Sequence, residues 1–143
     1  MVGGDGRLHH VEVWVPDLAA AIRSWGWLLG ELGWSGYQSW PAGRSWRLGE
    51  TYLVFEQSPA LSGAVHDRLA PGLNHLAFHI AGGRAQVDRL VAEAPAHDWR
   101  LLFADRHPYA GGADTYAAYL EDGQGYEAEL VAPPNDRGDA AGT

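Results

Sequence analysis

Leu8-His9-His10-Val11-Glu12-Val13-Trp14-Val15 returns 65 positions later as Leu73-Asn74-His75-Leu76-Ala77-Phe78-His79-Ile80. In each stretch one alternating set is apolar: Val11, Val13 and Val15 in the first, Leu76, Phe78 and Ile80 in the second. Successive side chains of a strand point to opposite faces, so His10 and His75 lie opposite these core sets. Glu12 shares its face with His10, and His79 with His75. Two related strands that each aim a histidine the same way imply a duplicated module and a pseudo-symmetric site shared by its halves.

Working outward, each strand leads into the same order of elements. Pro16-Asp17 starts a helix with Asp17 as its cap, and Leu18, Ala21, Ile22, Trp25, Leu28, Leu29 and Leu32 recur on one helical face before Gly33. Tyr37–Trp40, Ser45–Leu48 and 51–57 then follow as three short strands, with turns at Pro41-Ala42-Gly43 and Gly49-Glu50. Residues 7–57 thus form a βαβββ module. A linker is expected over 58–72, with a short helix possible between Leu61 and Leu69. The second module, 73–132, repeats the order: a helix carrying Val87, Leu90, Val91 and Ala94, then strands at Arg100–Phe103, Tyr116–Glu121 and Tyr126–Val131. A loop from Ala104 to Thr115 has no counterpart in the first module. Residues 133–143, small and polar, are expected to be a flexible tail. The expected architecture is α+β: two tandem modules in an incomplete mixed β-barrel, helices outside and histidines on the concave side.

Composition limits the chemistry. The chain has 143 residues, 46% of them hydrophobic, with seven tryptophans, six tyrosines and three phenylalanines, enough for a packed core. It has no cysteine, which removes disulfides, thiolate metal ligands and cysteine nucleophiles together. Ten basic residues, all arginine, face 18 acidic ones for a net charge of −8, which opposes nucleic-acid binding and rules out Schiff-base chemistry on lysine. No basic-then-apolar leader is read at the start and no apolar run is long enough to span a bilayer, so a cytoplasmic protein without membrane contact is expected.

The closing strands of the modules also align. Thr51-Tyr52-Leu53-Val54-Phe55-Glu56 matches Gly125-Tyr126-Glu127-Ala128-Glu129, which sets Glu56 against Glu129 at an offset of 73, the longer loop at 104–115 accounting for the difference. Each module then supplies an inward histidine and a carboxylate: His10 with Glu56, His75 with Glu129. Two imidazoles and two carboxylates suit a divalent cation such as Zn, Ni, Co, Mn or Fe(II). Glu12 and His79 are candidates for orienting such ligands. Trp14, Trp40 and Trp46 are candidates for an aromatic substrate pocket, whereas Trp25 and Trp27 are expected in the core. His107 and Tyr109 are placed to cover the substrate from the inserted loop. His9, His66 and His97 are expected at the surface.

Three stretches resemble the vicinal oxygen chelate superfamily of glyoxalases, bleomycin-resistance proteins and extradiol dioxygenases. They are the opening strand 8–17, the strand Leu73-Asn74-His75-Leu76-Ala77-Phe78, and the hairpin Tyr119-Leu120-Glu121-Asp122-Gly123-Gln124-Gly125-Tyr126-Glu127-Ala128-Glu129-Leu130. The resemblance implies a metal held by His10, His75 and Glu129, with Glu56 as fourth ligand or as the mobile catalytic base. It further implies a homodimer and a small oxygenated substrate that reacts through a metal-chelated enediolate, as in an isomerase or lyase. Two other implied functions are an iron(II) extradiol-type dioxygenase and a bleomycin-resistance-like protein that sequesters an aromatic ligand. No arginine pair suited to glutathione carboxylates is apparent, which disfavours glyoxalase I in the strict sense.

Overall fold

The computed structural model describes residues 4–134. The elements run β1 (His10–Trp14), α1 (Leu18–Glu31), β2 (Ser35–Trp40), β3 (Gly43–Leu48), β4 (Thr51–Glu56), β5 (His75–His79), α2 (Gly83–Glu93), a 3₁₀ turn (Ala94–His97), β6 (Trp99–Leu102), β7 (Ala117–Asp122) and β8 (Glu127–Val131). They make two four-stranded mixed sheets of identical topology, β1-β4-β3-β2 and β5-β8-β7-β6. The fold is therefore α+β and duplicated. The chain divides between Ala64 and Val65 into two compact units, one sheet in each.

In the first unit the Asp17 side chain accepts the Ala20 N–H at 3.1 Å and starts α1. Ala21, Ser24, Trp25, Leu28 and Leu29 form the buried stripe of that helix. Gly33, at φ +88°, provides the left-handed turn that ends it. The stripe packs on the sheet face bearing Leu53, Phe55 and Trp46. The rings of Trp25 and Phe55 are 5.0 Å apart, and Trp46 meets Phe55 edge-on at 5.7 Å. In the second unit α2 buries Val87 and Leu90, and Leu120, Ala128 and Leu130 are fully buried on one face of the sheet. Both histidine strands keep the expected alternation, with Val13, Val15 and Ile80 buried and His10, Glu12, Trp14 and His79 exposed.

One expectation about the path of the chain changes. No helix forms between Leu61 and Leu69. Val65 and Leu69 stay 86% and 82% exposed, so that stretch has no apolar stripe to bury and little to offset the cost of helix nucleation. Local polar bonds shape it instead: Ser58 Oγ accepts the Ala60 N–H, and Asp67 Oδ1 accepts the Leu69 N–H. The tail expected at 133–143 lies, past Pro134, outside the described residues. Among the described residues no helix is long and apolar enough to cross a membrane.

Candidate functional site

The ladder of the second unit sets ionisable side chains in rows across its strands. His75 pairs with Glu127, Glu127 with Glu121, and Glu121 with Arg100, giving one ionisable residue per strand from β5 to β6. The next row on that face is Ala77, Glu129, Tyr119 and Leu102. Cross-strand neighbours and their diagonals are within side-chain reach. Accordingly, His75 Nε2 lies 3.1 Å from Glu129 Oε1, one row along. An imidazole nitrogen and a carboxylate oxygen converge here, Glu129 standing opposite Ala77, two residues along β5 from His75.

Each member of this pair is held from behind. His75 Nδ1 is 2.6 Å from Asn74 Oδ1, and Asn74 Nδ2 donates to the Arg68 carbonyl at 3.0 Å. Tyr119 donates its hydroxyl to Glu129. Burial first, then that hydrogen bond and the charges of Glu129 and Glu127, push its pKa up to about 12, so it is a donor throughout the physiological range. Arg68 Nε reaches Glu121 at 3.1 Å and Glu127 at 3.3 Å, and Arg100 forms a further ion pair with Glu121. Burial raises the pKa of Glu127, only 4% exposed, against the pull of Arg68 and His75. Burial acts the same way on Glu121, but hydrogen bonds and charge from Arg100 and Arg68 outweigh it and leave that pKa lowered.

The first unit is built differently. Its ladder pairs His10 with Tyr52, Glu12 with Val54 and Trp14 with Glu56. The repeat offset of the closing strands is therefore 75, from Tyr52 to Glu127 and equally from Glu56 to Val131. The counterpart of Glu129 is Val54, and the proposed match of Glu56 with Glu129 is corrected. Glu56 also stands four residues beyond the partner of His10, about 13 Å along the strand. That is too far for His10 and Glu56 of one unit to bind a single ion, and it equally removes the basis for Glu56 as the base beside it. Instead Glu56 Oε1 accepts the Trp40 indole N–H at 3.3 Å. His10 stacks on Tyr52, rings 4.9 Å apart and nearly parallel, and meets His9 Nδ1 to Nδ1 at 2.9 Å.

Several other candidates are also reassigned. Trp46 is 8% exposed and faces α1, opposite the histidines, because it shares the sheet face of Leu53 and Phe55; it is core and not pocket. Trp14, 41% exposed, does lie on the His10 face, where its indole N–H donates to Glu12 Oε2 at 2.7 Å. Glu12 is thus engaged by tryptophan. His79 lies at the far end of β5, opposite Val131. His66, expected at the surface, stacks flat on Tyr126 at 4.1 Å, and burial lowers its pKa against the charges of Asp122 and Asp67.

In the inserted loop His107 is half-buried, and Tyr109 is exposed with its ring edge-on to Tyr116 at 5.9 Å. The loop meets the His75–Glu129 neighbourhood through Gly111. A Cβ there would lie 2.7 Å from Tyr119 Oη and 3.7 Å from Glu129 Oε2. Among the described residues no three His, Cys, Asp or Glu side chains gather into a metal-binding group. Glu127, Tyr119, Asn74 and Arg68 were not among the sequence candidates. Period-two alternation back from Glu129 and Glu121 already puts Glu127 and Tyr119 on this face; nothing in the sequence signals Arg68.

Residues 9–119 match the family described as the Glyoxalase/Bleomycin resistance protein/Dioxygenase superfamily. The Bacillus subtilis (strain 168) protein YqjT, itself uncharacterized, is 47% identical over 128 residues, 88% of this chain and 98% of that protein. A Bacillus halodurans structure provisionally assigned as a glyoxalase superposes with a TM-score of 0.85 at 46% identity, covering 90% of this chain and 97% of that one. The Listeria monocytogenes fosfomycin resistance protein FosX, solved with Mn(II) and a dihydroxypropylphosphonic acid, is similar in fold. Its TM-score is 0.62 at 18% identity, covering 92% of this chain and 93% of that one.

Proposed function

Since the chain belongs to the glyoxalase/bleomycin resistance protein/dioxygenase superfamily, we propose that it is a metal-dependent enzyme of isomerase or lyase type acting on a small substrate with two adjacent oxygens. The ligands are His75 and Glu129, and the active form is a homodimer. The observation that carries this reading is the 3.1 Å approach of His75 Nε2 to Glu129 Oε1, each side chain held from behind by a partner. One nitrogen and one carboxylate oxygen suit Zn, Mn, Ni, Co or Fe(II). Such an ion would supply Lewis acidity, stabilising negative charge on a substrate oxygen as solvent takes a proton from the neighbouring carbon.

The residues have separate tasks. Tyr119 fixes one side of the Glu129 carboxylate by donating its hydroxyl. Gly111 brings the inserted loop against that pair and limits the space beside it. Sequestration of an aromatic ligand draws less support. Trp25, Trp46 and Trp99 are buried in the core, while Trp14 and Trp40 are bonded to Glu12 and Glu56.

Titration of the metal-stripped protein with Mn(II) and Zn(II) tests the reading. We expect one saturable site per chain, lost in His75→Ala and weakened at least about tenfold in Glu129→Gln, with His79→Ala unchanged. Addition of the ion should then permit exchange of the carbon-bound proton of 2-hydroxycarbonyl substrates with deuterium oxide. Equal affinity in wild type and His75→Ala would overturn the proposal.

A further inference from the structure

We infer that Arg106 determines which substrate is taken, by binding an anionic group, a carboxylate or a phosphate, on the molecule whose adjacent oxygens reach His75 and Glu129; this rests on the reading of that pair as the reacting site. Phe103, the residue after β6, points to this role. Its backbone lies at φ +55°, in the left-handed region that is costly for a bulky side chain. Burial does not offset that cost, because the residue stays 36% exposed. The conformation instead achieves a placement. The Phe103 ring meets the Tyr119 ring edge-on at 5.5 Å, and the Arg106 guanidinium lies over the same ring, 5.0 Å from its centre. Tyr119 in turn donates its hydroxyl to Glu129. Arg106 and the Glu129 carboxylate are thus joined through two aromatic side chains in contact.

Arg106 is also available to a ligand. Arg68 and Arg100, whose guanidiniums reach this sheet face, are already held by Glu121 and Glu127. Although Asp105 precedes it, Arg106 has no carboxylate within ion-pair distance among the described residues, in a chain whose net charge is −8. Stacking on an aromatic ring leaves the in-plane N–H donors of a guanidinium free, and their fork matches two oxygens of a carboxylate or phosphate. The backbone around Arg106 is ordered by its own hydrogen bonds. The Phe103 carbonyl accepts the N–H groups of Arg106 and His107, both at 2.9 Å, and the Tyr109 N–H returns to the Arg106 carbonyl at 2.7 Å. The Gly112 N–H closes the next turn on the Tyr109 carbonyl at 3.0 Å. These turns lead to Gly111, where a Cβ would meet Tyr119 and Glu129, so the loop touches the site at one end and carries the cation at the other.

The test uses three probes that share a hydroxyketone core: neutral dihydroxyacetone, hydroxypyruvate with a carboxylate, and dihydroxyacetone phosphate. Each is titrated into the metal-free full chain while ¹H–¹⁵N spectra follow the Arg106 Nε–H and the Gly111 amide. One anionic probe or both should bind at least about tenfold more tightly than dihydroxyacetone, and the tighter one identifies the group. Arg106→Gln should abolish that preference. Phe103→Leu should reduce it, whereas Phe103→Tyr, which keeps a ring under the guanidinium, should retain it. No binding or equal binding of the three probes by wild type overturns the inference, as does a preference kept in Arg106→Gln. Mn(II) titration of the same samples reads the His75–Glu129 pair separately, and Arg106→Gln should bind the ion as wild type does. An anion preference that depends on Arg106 in a protein that binds no Mn(II) upholds the Arg106 subsite and ends the metal reading; Mn(II) binding without the preference overturns the inference alone.

Discussion

At Gly43 the backbone of β3 lies directly under the indole of Trp40. A Cβ added there would come within 2.2 Å of the Trp40 ring, whose N–H reaches Glu56 at 3.3 Å. Gly43→Ala must therefore displace the indole and break that bond. A loss of about 1–3 kcal/mol is expected, read as a lower urea midpoint with unchanged slope. A similar conflict at Gly111 falls on Tyr119, so Gly111→Ala should disturb the Tyr119–Glu129 contact more than overall stability. The sequence displays the histidines and carboxylates but not these contacts. Trp46 shows the reason: one aromatic in a short strand between turns is compatible with either face, and only α1 packing against Leu53 and Phe55 decides which.

Among the elements, the segment 65–70 carries more than a connection. Its Arg68 compensates two carboxylates, one of them nearly buried, so Arg68→Met should cost about 3 kcal/mol by chemical unfolding. Adding Glu127→Gln should recover part of that loss, since the stranded charge is then gone. The neighbouring His66 gives a pH test. Its folded-state pKa lies below the ordinary 6.5, so the unfolded chain takes up the proton more readily. Stability from this group is present above pH 6.5 and is lost as pH falls through the lowered folded value. In His66→Phe, which keeps the stack on Tyr126, the stability profile should flatten in that window. Retention of the wild-type slope would remove His66 as its source. Helix α1 and the histidine strands are legible from periodicity because a buried stripe or face repeats in the sequence. Segment 65–70 is not, because its order comes from distant charges.

For the molecule as a whole, duplication is plain in the sequence, yet the two copies have diverged in chemistry. The parallel ladders place Val54 and Val131 where symmetry with Glu129 and Glu56 would require carboxylates. Strand pairing register is set by how two separate segments meet, which alternation within either one cannot specify. Hence the paired modules could be expected from residues alone, whereas the asymmetry could not. The half-site with two convergent donors lies in the second unit, and the proposal puts the cation there. Crystals equilibrated with Mn(II) or Zn(II), measured at the absorption edge of the ion, address this most directly. An anomalous peak is expected about 2.0–2.2 Å from both His75 Nε2 and a Glu129 carboxylate oxygen. At saturating metal, peaks found only elsewhere, with His75 still bonded directly to Glu129, would contradict it.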